Sequence, residues 1–166
     1  MPISTIGSDG LASSSVTRAK MGYAGAVLQV VQASYSTQVT NSSSTFATTG
    51  LSASITPTSS SNKILVLANV AVYYGSANNM YLGLRINRGG SFPWTNYFFN
   101  NVGAIVMLNN TYGINYLDSP ATTSSTTYTI EFNCPSSASA YAYPTAQLLS
   151  AGNQSQSTIT LLEVAA

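Results

Sequence analysis

The chain has 166 residues, and only 5% of them are charged, against about 25% in an average soluble domain. Its 5 Lys/Arg and 4 Asp/Glu leave a net charge of +1, so no cluster of cations exists to neutralise a phosphate backbone, and nucleic-acid binding is not expected. The absence of histidine and the single Cys134 remove Ser-His-Asp triads, Cys-His dyads, the commonest metal ligand and an internal disulfide framework.

The length suits one domain with a real core, plus an arm. No apolar run approaches the roughly 18 residues of a membrane-spanning helix, and no basic n-region precedes an apolar stretch, so neither a membrane span nor a secretory signal is expected. Met1 to Gly25 differs from the rest in its glycines, its Ser13–Ser15 run, and two of the basic residues, Arg18 and Lys20. It reads as an extended N-terminal arm, residues 1–25, ahead of a domain at 26–166. An isolated Gly/Ser-rich terminus orders only when something holds it. A partner chain is the simplest holder, and an arm folded back on its own domain is the alternative. Ile3, Ile6, Leu11 and Val16 are its apolar candidates for partner contact; Arg18 and Lys20 are candidates for an acidic partner surface, with a solvated pair as the alternative.

Ala26 to Tyr35 is the first predicted strand. Gln38 to Thr49 reads as a polar loop or a weak edge strand around Phe46, punctuated by Gly50. Leu51, Ala53 and Ile55 then alternate on one face of a strand. Pro57 to Asn62 is a turn of small polar residues. Lys63 to Tyr74 is the longest strand: Ile64, Val66, Ala68, Val70, Val72 and Tyr74 lie on one side, and Leu65, Leu67, Asn69, Ala71 and Tyr73 on the other. Both sides are largely apolar, which predicts a central strand covered on both faces. Met80, Leu82, Leu84 and Ile86 alternate in the next strand, and Gly89-Gly90 is a hairpin signal able to take φ > 0.

Phe92 to Phe99 is aromatic and irregular, and Pro93 argues against a central strand. Val102–Asn109 and Tyr112–Leu117 read as two strands around a turn at Asn109-Asn110. Asp118 to Ser125 is a loop. Tyr128, Ile130 and Phe132 share a strand face, Pro144 breaks the stretch from Ala138 to Leu149, and Ile159 and Leu161 point the same way in a final strand. About eight short strands joined by polar turns predict an all-β antiparallel β-sandwich, with a jelly roll favoured and other Greek-key orders left open.

Little chemistry survives a search. Asp118 and Glu131 flank a loop and are the one carboxylate pair that a glycosidase mechanism would need. The alternative is a turn-capping Asp and a solvent-facing strand Glu. No D-x-D cluster offers a calcium site, and Gly89-Gly90 lacks the helix and Lys of a phosphate loop. Arg85 and Arg88, three apart on a strand, point to opposite faces. Cys134 reads as a small half-buried apolar side chain at a strand end. No cofactor and no metal are expected. The richest polar-aromatic content lies between Tyr73 and Tyr116. There Trp94, Tyr97, Phe98 and Phe99 are candidates either for packing at a sandwich end or subunit contact, or for stacking on a host glycan.

Gly-Leu-Ser-Ala-Ser-Ile-Thr-Pro at 50–57 followed by Ser-Asn-Lys-Ile-Leu-Val at 61–66 resembles a segment of structural proteins of tailed phages, especially those of marine and cyanobacterial hosts. Tyr116 to Tyr128 and the ending Ser-Thr-Ile-Thr-Leu-Leu-Glu-Val-Ala at 157–165 look like the same family. The resemblance runs from about Ala26 to the C-terminus. It implies a virion protein with a jelly-roll module, often a homotrimer, found in capsid decoration proteins and in tail or head fibres, with no catalytic residues. The reading is a non-enzymatic decoration (cement) protein on the particle exterior, bound to the major capsid protein or another virion protein through its arm. The alternative is a fibre or receptor-binding module that takes host glycans on the aromatic loops.

Overall fold

A computed structural model describes residues 23–74, 79–101, 108–134, 144–146, 149–150, 153–154 and 156–166. The strands are β1 (Val27–Tyr35), β2 (Val39–Thr40), β3 (Ala47–Ile55), β4 (Lys63–Tyr74), β5 (Asn79–Arg88), β6 (Ser91–Asn101), β7 (Leu108–Asp118), β8 (Thr126–Asn133), β9 (Pro144–Ala146), β10 (Leu149–Ser150), β11 (Asn153–Gln154) and β12 (Ser157–Val164). No helix occurs among the described residues.

Eight long strands form two antiparallel sheets. In sheet A, β4 pairs with β12 along one edge and with β7 along the other, and β1 completes the order β1-β12-β4-β7. Short β9 and β2 extend this sheet beyond the end of β12. Sheet B runs β3-β8-β5-β6. The pairing is nested: first long strand with last (β1–β12), second with seventh (β3–β8), third with sixth (β4–β7), fourth with fifth (β5–β6). A single long antiparallel ribbon folded over on itself gives this order, which is the jelly roll.

The alternation read from the sequence fills the space between the sheets. Ile64, Val66, Ala68, Val70 and Val72 of β4 meet Leu51 and Ile55 of β3, Leu82, Leu84 and Ile86 of β5, and Tyr128, Ile130 and Phe132 of β8 in one buried cluster, joined by Ile114, Ile159 and Leu161. Each fully buried aliphatic side chain contributes about 1.5–3 kcal/mol. Cys134, placed at a strand end by the sequence, is fully buried rather than half-buried.

Two turns were misplaced. Gly50 does not end a loop; it lies inside β3 at a bulge, with φ +84° and a register shift between Thr48 and Ser52. Opposite the bulge the Thr49 hydroxyl donates to the Ile130 carbonyl at 2.8 Å, which keeps a buried acceptor satisfied. The Tyr35 ring lies over Gly50, 2.4 Å from where a Cβ would sit. Gly50→Ala is therefore expected to lower stability by roughly 1–3 kcal/mol, through the left-handed backbone and the displaced ring, measured as a shift in urea midpoint at unchanged slope. Asn109-Asn110 is no turn either, because β7 runs through it in unbroken pairing with Val72 and Tyr73 of β4. A twelve-residue partner strand offers more ladder bonds than a turn would keep. Gly89 and Gly90 form the expected hairpin, with φ of +57° and +91°.

Candidate interaction surfaces

β6 is the edge strand of sheet B, where Pro93 costs no ladder bond on the open side. The stretch from Phe92 to Phe99 is thus edge strand, irregular only at Phe92-Pro93, where the register shifts between the Arg88–Ser91 and Ile86–Trp94 pairs. From Trp94 onward a period of two divides the aromatic residues. Trp94 lies opposite Ile86, Phe98 opposite Leu82, and both pack on the core; the Phe98 and Tyr112 rings are 4.5 Å apart. Tyr97 and Phe99 face outward and are 56% and 51% exposed. The four aromatic candidates therefore do not form one platform.

The outward pair belongs to a longer strip on sheet B. Tyr97 lies over Gly83, whose missing Cβ would stand 2.7 Å from the ring, and the Phe99 ring packs against Tyr81 at 4.6 Å, tilted by 38°. The Arg85 guanidinium sits between Phe46 at 4.1 Å and Phe92 at 3.7 Å, a double cation–π contact. Arg85 also donates to Glu131 at 2.6 Å, and Asn87 donates to the other Glu131 oxygen at 2.7 Å. Phe46 is held there by the 41–46 loop, which Asn41 ties to the Phe132 carbonyl at 2.8 Å and Asn133 ties through the Ser44 carbonyl at 2.6 Å. Asn133 Oδ1 is buried without a hydrogen-bond donor and fills the space beside Gly83, 2.1 Å from a Cβ position there. A glycine at 83 is what lets both side chains lie down on the sheet.

The opposite faces of Arg85 and Arg88 follow as expected. Arg88 turns toward sheet A, where its Nη1 donates to Asp118 Oδ2, which also accepts from Tyr128 Oη at 2.7 Å. Burial pushes the Tyr128 phenol well above its usual range, and the bond to Asp118 and its charge add to that. Asp118 is thus a buried ion-pair partner and not a turn cap. Glu131 is an ion-pair partner on the outer face of sheet B and not a free solvent-facing carboxylate. The two do not share a cleft, so they are not placed as an acid/base pair.

Beside Asp118, across Ile64, stands Glu163. It is fully buried. Its Oε1 accepts from the Thr58 amide (2.6 Å), the Thr58 hydroxyl (2.7 Å) and Asn62 Nδ2 (2.6 Å), and its Oε2 accepts from Gln29 Nε2 (2.6 Å). Burial alone would raise this carboxyl; the bonds from Asn62, Thr58 and Gln29 outweigh it and hold the group below its ordinary value. The sequence reading missed Glu163 as a site. Its signal was the shared parity with Ile159 and Leu161, which turns it inward. At the same end, a shallow hollow of about 380 Å³ is lined by Arg88, Gly89, Pro120, Thr122, Ser125 and Thr126.

The arm residues Ile3, Ile6, Leu11, Val16, Arg18 and Lys20 lie outside the described residues. The chain is first described at Tyr23, and Gly25 and Ala26 exchange backbone bonds with Ala165 at 2.8 and 2.9 Å. Among the described residues, no three His, Cys, Asp or Glu side chains cluster.

No protein-family model matches the chain, and no curated protein matches it. Among solved structures, it is similar to a structure of infectious bursal disease virus, Gx strain, at 15% identity and a TM-score of 0.43, covering 83% of this chain and 37% of that one. A crystal structure of the VP2 subviral particle of the same virus gives 16% identity and a TM-score of 0.41 over 83% of this chain and 38% of that one. The Gt strain gives 15% and 0.38 over 87% and 37%. The chain spans less than two fifths of the length of these structures, and likeness at this level does not assign it to a family.

Proposed function

We propose that the chain is a non-enzymatic structural protein of a virus particle, and specifically a decoration protein on the outside of a tailed-phage capsid. One observation carries this reading. A closed jelly roll leaves large apolar side chains exposed on both outer faces: Phe92, Tyr97 and Phe99 on sheet B, Val30, Leu67 and Leu117 on sheet A. Meanwhile Asp118, Glu131 and Glu163 are each bound to internal donors. Such a body works by covering apolar surface against other proteins. In this reading residues 1–25 grip the shell, with Ile3, Ile6, Leu11 and Val16 in apolar contacts and Arg18 and Lys20 on acidic positions, and the sandwich sits on top.

The test is copy number in purified virions, followed by rebinding to undecorated shells. A fixed ratio to the major capsid protein, with rebinding lost on deleting residues 2–22, is the expected result. A few copies per particle would overturn decoration. That outcome would favour a fibre or receptor-binding module, a reading supported by the outward Tyr97 and Phe99, and Tyr97→Ala would then reduce adsorption to host cells.

A further inference from the structure

We infer that the outer face of sheet A is the surface through which copies of this chain associate with one another. The inference goes beyond the placement on a particle and does not depend on it. Register puts Val30, Leu162, Leu65 and Leu117 side by side across all four strands, on the face turned away from the core. Val30 is 58% exposed and Leu117 47% exposed, so the two ends of this row are open to water. Leu67 continues the patch in the next row, opposite Thr160, and Val27 and Val164 border it on the other side. An antiparallel sheet that faces only water alternates apolar-in with polar-out. Here the row through Val30, Leu162, Leu65 and Leu117 is apolar on every strand.

The occupant follows from charge and shape. Among the described residues of this face, Lys63 is the one charged group, and it lies at the margin, where its ammonium stays in water. A partner recognised by charge would find nothing to pair with. A second copy presents the same neutral face, so no unpaired charge is buried when the two meet. Two sheets of like twist also stack well, as the interior of this sandwich does. Four strands at about 4.8 Å and seven residues at about 3.4 Å give a flat footprint of roughly 450 Å² per copy. Two such faces make about 900 Å² before side-chain relief is added, at the lower bound for a specific contact. Self-association is therefore concentration-dependent, and a face that meets its own copy closes as a two-fold pair.

Sedimentation velocity on the full chain, from about 1 μM to about 1 mM, tests this. The wild type is expected to associate within that range. Val30→Glu combined with Leu117→Glu, both at exposed positions, is expected to raise the dissociation constant at least about tenfold, the effect of two charges facing a copy of themselves. An unchanged far-UV circular dichroism spectrum checks that the fold is kept, and Tyr97→Glu on the opposite face is expected to change nothing. A wild type that stays monomeric throughout overturns the inference. So does a double variant that associates like wild type, or association abolished by Tyr97→Glu instead. A monomeric wild type that begins to associate on deletion of residues 2–22 also overturns it, by making the arm the occupant.

Discussion

Glu163→Ala is expected to lower the unfolding free energy by about 3 kcal/mol at neutral pH and to flatten the acid side of the stability curve. The carboxylate gathers donors from three places: Gln29 on β1, and Thr58 and Asn62 on the connection between β3 and β4. Gln29 is further fixed by the Thr56 carbonyl at 2.7 Å, and Asn62 Oδ1 accepts from the Ala166 amide at 3.3 Å. Removing the acceptor strands several donors at a buried end of the sandwich. Each bond to a charged acceptor is worth about 1.5–3 kcal/mol, and partial rehydration of the exposed donors brings the sum down. The folded carboxyl lies below its ordinary value of 4.5, so its contribution is fully present above that pH and is lost as the pH falls through the folded value. Urea titrations of wild type and variant over an acid series measure it: the gap between the two should be constant above 4.5 and shrink below. A gap independent of pH would mean that Glu163 acts by packing alone.

Asp118→Ala is expected to cost about 3–5 kcal/mol, toward the lower end because Arg88 keeps some contact with water. Asp118 Oδ2 serves both the guanidinium of Arg88 and the phenol of Tyr128, and thereby links β7 of sheet A to β5 and β8 of sheet B. Without it a cation and a buried hydroxyl lose their acceptor together. Tyr128→Phe removes only one bond and should cost about 1 kcal/mol. The two variants differ in alkali as well. The Tyr128 phenol is raised in the folded state, so its share of stability is complete below the ordinary value of 10.0 and is lost as pH rises beyond it. Tyr128→Phe should abolish that alkaline loss, read by thermal melts across the series. Equal costs for the two variants would show that Arg88 needs no partner.

The alternation along β4, β5, β8 and β12 was legible because it is local: side chains two apart share a face whatever the strand pairs with. The same rule identified the buried Leu82-Leu84-Ile86 and Tyr128-Ile130-Phe132 runs, and the two glycines of the β5–β6 hairpin carried their turn in their own conformational freedom. Jelly roll or another Greek-key order remained open at that level, since the nested pairing joins β1 to β12 across most of the chain and leaves no local mark. Propensity failed where a long partner strand outweighed it, as at Asn109-Asn110, and where a bulge used Gly50 inside a strand.

The polar groups divided in the same way. Composition alone showed that charges are few and that no histidine is present to act as base or metal ligand. Only the tertiary structure decided what each charge does. Asp118 meets Arg88 30 residues away, Arg85 meets Glu131 46 away, and Glu163 meets Asn62 101 away. Partners at such separations are set by which strands lie side by side. Sequence parity puts a side chain on a face; the folding of the ribbon decides whether that face is core, water or another protein.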